Sequence, residues 1–175
     1  AIYISNFVKD KKAVVRSLLT VSVATAAFGW LQYLIWPDLT SLKYLGWDDH
    51  LLRMVGTFLD PTYLGLILVL GVILALHKKL SLVFYFLAFS ILFTYSRVSY
   101  LLLFLVTLLN KKYLALILFI LVILFLPKNI GEGTNLTRTA SGNNKLVNYE
   151  ETIQIIKKYP LFGVGFNNIC KAKQY

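Results

Sequence analysis

A single cysteine, Cys170, stands in the whole chain. That excludes an internal disulfide. With no second cysteine and no histidine beside it, a thiolate metal site is excluded too, and a small apolar filler is its expected role. Charge is scarce where it matters most: from position 80 to 109 the one charged residue is Arg97. The apolar runs carry neither the polar residues nor the inverted repeats that a transport path would need. The formal net charge of +10 does not point to nucleic acid, because the lysines sit in small clusters between apolar runs and not along one polar face. No methionine opens the chain at Ala1 and no stop pattern closes it at Tyr175. An internal fragment of a longer polytopic protein is the expected reading, with residues 1–8 as the tail of an earlier helix.

What is present is apolar. Hydrophobic residues make up 58% of the 175 positions, at a mean hydropathy of +0.68, which is outside the ordinary globular class. The expectation is an all-α, polytopic transmembrane bundle of about five spans, near 13–36, 61–76, 80–96, 97–109 and 113–126. The region 1–126 is then membrane-embedded, and 127–175 is an external loop carrying an amphipathic helix at 146–159. Residues 17–36 form the clearest span, uncharged over about the twenty residues that a crossing needs. The shorter runs cross if flanking lysines and arginines snorkel or the bilayer thins. Were 80–109 one span, Arg97 would lie near the bilayer centre at a cost of about 2.5–3.5 kcal/mol. A turn at Arg97 removes that cost.

Basic residues in short loops set the orientation. Lys9, Lys11, Lys12, Arg16, Lys78, Lys79, Lys111 and Lys112 fall between the spans so that all share one face, which is expected to be cytoplasmic. The opposite face receives the 37–60 loop, the turn at Arg97 and everything after residue 126. In the tail, Leu146, Tyr149, Ile153 and Ile156 recur at helical spacing, with Glu150 and Glu151 early, Lys157 and Lys158 late, and Pro160 as the stop.

Three arginines then gather at external helix ends: Arg53, Arg97 and Arg138. A guanidinium is always charged and its planar fork matches phosphate oxygens, so the three together suit a diphosphate at the membrane surface. Taken singly, each reads first as an anchor for its helix end. Gly163-Val164-Gly165 reads first as a tight turn, and second as a source of backbone N–H groups for an anion. Asp48, Asp49 and His50 read as a solvated loop, and His77 as part of a topology anchor. Asp60 and Pro61 have the form of a helix N-cap and first helical residue.

Three elements in order resemble the bacterial O-antigen ligase and polysaccharide polymerase family. They are Arg53-Met54-Val55-Gly56-Thr57-Phe58-Leu59-Asp60-Pro61 leading into a span, Thr94-Tyr95-Ser96-Arg97 at the outer end of another, and Arg138-Thr139-Ala140-Ser141 followed by a short helix and Tyr159-Pro160-Leu161-Phe162-Gly163-Val164-Gly165-Phe166-Asn167. The resemblance covers roughly 17–168. It implies a polytopic glycosyltransferase of the bacterial cytoplasmic (inner) membrane, needing neither metal nor cofactor. Its partners would be membrane lipids, an undecaprenyl-diphosphate-linked oligosaccharide donor and an acceptor that is a lipid A core, a growing polysaccharide or a protein. On this chain the donor diphosphate would meet Arg53, Arg97 and Arg138, with Lys145 where relatives often have a further arginine, and the backbone at Gly163 and Gly165 as possible contacts. The catalytic residue is unknown within the chain: the family's external histidine would lie beyond residue 175, and His50 is in the wrong segment to replace it. The rival readings are a polysaccharide-lipid transporter or flippase and a non-catalytic membrane scaffold.

Overall fold

The computed structural model describes residues 10–45, 48, 50–127, 132–136, 140–160, 163–165 and 168, with backbone alone at 132 and 140–145. Among the described residues every regular element is helical, apart from one isolated antiparallel bridge between Asp38 and Leu51. Two compact units divide the chain, 1–136 and 137–175. The first therefore runs past residue 126: Thr134 is fully buried within it and Leu136 packs against its core.

Among the described residues five α-helices build the first unit: α1 (Lys11–Ile35), α2 (Pro61–His77), α3 (Ser81–Leu92), α4 (Arg97–Leu109) and α5 (Tyr113–Phe125). Each starts or stops for a local reason. The Asp10 carboxylate accepts from Ala13 N at 3.0 Å and opens α1 two residues before the expected start. Asp60 accepts from Thr62 N at 2.6 Å and Tyr63 N at 2.9 Å, with Pro61 in the first turn, as the sequence indicated. The ends of α2 and α4 share one device. Lys79 N bonds Leu76 O and Leu80 N bonds Ala75 O; Lys111 N bonds Leu108 O and Lys112 N bonds Thr107 O. These pairs are Schellman motifs, and the residues that reverse the chain are lysines at φ 57° and 55°.

The core sits on α2, which touches α1, α3 and α4, while α5 packs on α3 and α4. Small residues let those backbones approach. A Cβ on Gly65 would lie 2.0 Å from Ser99 Oγ, and one on Gly71 would lie 2.5 Å from Ser22 Cβ and 2.7 Å from Leu87 Cδ1. Large apolar side chains also cover much of the outer surface. In α5 only Ala115 and Phe119 are buried, four residues apart, while Leu114 is 80% and Phe125 86% exposed.

Length separates the helices. At 25 residues α1 extends about 37 Å by its rise per residue, and it alone, among the described residues, is long and apolar enough to cross a bilayer. The other four are apolar but have 17, 12, 13 and 13 residues, short of the ~30 Å hydrocarbon core. The expected 80–96 span is shorter than its apolar run because positions 93–96 leave the helix to make the turn before Arg97.

Successive helices run up and down. One end of the unit gathers the end of α1, the segment before α2, the α3–α4 turn and the chain after α5; the other gathers the start of α1 and the α2–α3 and α4–α5 turns. The second unit contains α6 (Ala140–Lys158), which begins earlier than position 146, exposes Leu146, Tyr149, Ile153 and Ile156, and ends one residue before Tyr159.

Candidate functional site

The end of the first unit that carries Arg53 is assembled from loops pinned by side chains. Gln32, in the last turn of α1, accepts from Val55 N at 3.0 Å and Gly56 N at 3.4 Å, and donates to Trp36 O at 3.0 Å. Met54 N donates to Phe93 O at 2.8 Å and so ties the same segment to the end of α3. Gly56 has φ 58°, a left-handed turn that suits glycine. Trp30 donates from Nε1 to Ser90 Oγ at 2.9 Å and packs with Tyr33, Phe89 and Phe93 at ring separations of 4.8–5.9 Å.

Arg53 lies under this frame, 5% exposed. Its Nε donates to Thr94 O at 3.1 Å and its Nη2 to Tyr95 O at 3.4 Å. Nη1 donates to His50 Nδ1 at 3.4 Å. A guanidinium has no acceptor, so Nδ1 carries the lone pair and the ring proton sits on Nε2. The two carbonyls belong to the turn that ends α3, where aligned peptide dipoles leave partial negative charge that a cation neutralises. Tyr95 has φ 51°, the left-handed conformation in which the chain reverses while offering both carbonyls to Arg53. Gly133 covers the same side chain: a Cβ there would meet Arg53 Cδ at 2.7 Å.

Thr94, Tyr95 and Ser96, the first three residues of the Thr94–Arg97 element, each have a visible task. Thr94 Oγ1 donates to Ile91 O at 2.7 Å and accepts from Ser96 N at 3.2 Å. Ser96 caps α4, accepting from Ser99 N at 3.4 Å and Ser99 Oγ at 3.0 Å. Tyr95 donates its hydroxyl to Pro127 O at 2.9 Å and so holds the chain leaving α5. Arg97 follows as the first residue of α4, with its side chain exposed.

The structure thus brings Arg53 and Arg97 to one end of the first unit, in unlike settings. Arg53 is buried and bonded to main chain, the geometry of an anchor; Arg97 is on the surface. Arg138 lies outside the described residues, as does the side chain of Lys145. Gly163 and Gly165 have φ 62° and 77°, and Gly163 N bonds Tyr159 O at 3.2 Å, the tight turn after α6 that the glycines suggested. Of the supposed solvated trio, Asp48 is exposed, Asp49 lies outside the described residues, and His50 is buried at 6% exposure. His50 is therefore a correction. The bridge between Asp38 and Leu51, with Leu39 N bonded to His50 O at 2.9 Å, folds the loop back and carries the imidazole in against Arg53. His77 ends α2 and is exposed.

Gln32 and the carbonyls of Thr94 and Tyr95 were not foreseen. A polar residue four positions before the end of an apolar run was the available signal for Gln32; main-chain acceptors leave no signal in a sequence. No protein-family model matches the chain, and no curated protein or solved structure matches it either.

Proposed function

We propose that this chain is part of a polytopic membrane glycosyltransferase. It would transfer a glycan from an undecaprenyl-diphosphate-linked donor to a lipid A core, a growing polysaccharide or a protein, on the outer face of the bacterial cytoplasmic membrane. The membrane placement is supported by α1 and by the apolar outer faces of α2–α5, since a helix apolar all round belongs in a large core or in lipid. The short helices cross by local thinning of the bilayer and by snorkelling of the lysines at their ends.

The observation that carries the reading is the division of labour between two arginines at one end of the bundle. Arg53, bound to Thr94 O and Tyr95 O, is a positioning residue for the turn that presents Arg97. Arg97, exposed at the N-terminus of α4, sits where helix N–H groups and its own fork both favour an anion. As the anomeric C–O bond to the diphosphate breaks, the leaving lipid diphosphate takes the electron pair, and a cation held there stabilises that charge. The acceptor oxygen forms the new glycosidic bond, and its proton passes to a general base.

A membrane scaffold is the second reading, favoured by the anchor geometry of Arg53. Arg97 separates the two. In the complete protein, Arg97→Ala should reduce glycan transfer from a lipid-diphosphate donor by at least ~100-fold, the order seen when one transition-state donor is removed, with the amount of folded protein in the membrane unchanged. Arg97→Lys should restore part of it. Full transfer by Arg97→Ala would refute the assignment and leave the scaffold.

A further inference from the structure

The opposite end of the first unit holds two cavities that the glycan-transfer reading does not use. One, of about 330 Å³, lies between the α2–α3 turn and the start of α5, under Lys79 and Lys112, with walls from Leu76, Leu80, Phe84 and Tyr85. The second, of about 310 Å³, lies between the start of α1 and the same turn, with Lys12, Arg16 and Lys78 over Val15 and Leu19. Leu80 lines both. Neighbouring lysines at 78 and 79 therefore diverge, each into a different cavity.

Three properties of these cavities select their ligand. Among the described residues their charge is of one sign: five cations line them and no carboxylate does. Their walls are apolar below the charged groups, so the occupant is an amphiphile with an anionic head. Each is close to the lower end of the size range of small-molecule sites, roughly 300–1,000 Å³. A topology signal alone requires only that lysines be present in the loop. Lys79, however, is held at φ 57°, a conformation that glycine adopts at less cost. From that position Lys79 lines the cavity of about 330 Å³.

We propose that this end of the bundle binds the phosphate headgroup of anionic glycerophospholipids, one on either side of Leu80. Lysine and arginine stems lie along the apolar walls and their heads meet the phosphate, while the acyl chains continue along α2, α3 and α1. The proposal rests on the membrane placement of the helices and not on glycan transfer. Interhelical basic pockets of this kind are recurrent anionic-lipid sites.

The test is lipid retention by the full chain, purified in an uncharged detergent, titrated with phosphatidylglycerol or with phosphatidylcholine, and read by native mass spectrometry. Phosphatidylglycerol should bind selectively. Lys79→Gln/Lys112→Gln should weaken it about thirtyfold, the effect of two surface cations, and Lys12→Gln/Arg16→Gln/Lys78→Gln should remove a second bound lipid. Lys79→Arg/Lys112→Arg should keep affinity within about threefold, since the charge stays; this variant controls for folding. Equal retention of phosphatidylcholine, unchanged affinity in the glutamine variants, or displacement of the lipid by excess inorganic phosphate would each overturn the assignment, the last by showing a site for free phosphate. Selective phosphatidylglycerol binding by an unaltered protein that shows no glycan transfer would refute only the transferase reading.

Discussion

The two ends of the helical unit use cations in opposite ways. At one end Arg53 is buried, and its fork is spent on the carbonyls of Thr94 and Tyr95 and on His50. At the other, Lys12, Arg16, Lys78, Lys79 and Lys112 are exposed around two cavities. A buried charge is tolerated only when its surroundings supply compensating dipoles, so the first end is geometrically exact and intolerant of change. Exposed charges are screened and individually weak, so the second end acts through number. One end orders a turn; the other gathers cations around open cavities, the arrangement proposed above to hold anionic headgroups.

The contrast is broken most severely at Arg53. Arg53→Ala strands two buried carbonyls and should destabilise the unit by about 3–6 kcal/mol, from two charge-assisted bonds at ~1.5–3 kcal/mol each. Thermal unfolding in detergent would measure it. Arg53→Lys should recover less than half, because an ammonium cannot span both carbonyls with one planar fork. A loss under ~1 kcal/mol would show that the turn does not depend on Arg53.

At the basic end the expected sign reverses. Lys79→Gly relieves a left-handed backbone and should stabilise the unit by about 0.5–1 kcal/mol while weakening anionic-lipid retention. If stability falls instead, Lys79 supports the fold through its side chain.

The smallest effect lies in the loop at Asp38. Its carboxyl is held below its ordinary value by the hydroxyl of Thr40, which donates at 2.6 Å, and by Thr40 N at 2.9 Å. Because the folded value is depressed, the contribution is present above the unfolded carboxylate range and is lost as pH falls through the folded value. Thr40→Val should move the Asp38 titration upward, read by the carboxyl carbon shift in NMR, with little change in stability at neutral pH. An unmoved titration would remove the hydroxyl as its cause.

Much of the helical arrangement is legible in the sequence. Lys78, Lys79, Lys111 and Lys112 interrupt apolar runs and mark the turns; Asp60-Pro61 marks the start of α2; Arg97 marks the reversal between α3 and α4. Each signal is local, because a charge in an apolar run or a cap before a helix costs or stabilises within a few residues. The number of helices long enough to cross was less legible. An apolar run does not show how many of its residues the turn consumes, and positions 93–96 leave the helix although their composition does not require it.

The candidate site divides in the same way. That Arg53 and Arg97 share an end follows from the alternation of apolar runs and basic loops, which is a property of the sequence. That one is buried and the other exposed was decided by the tertiary structure. The deciding groups are Gln32 on α1, main-chain carbonyls at 94 and 95, and the imidazole of His50, brought together across distant segments. Main-chain acceptors are the same at every residue, so no pattern of side chains announces them, and only the fold selects which of them a guanidinium can reach.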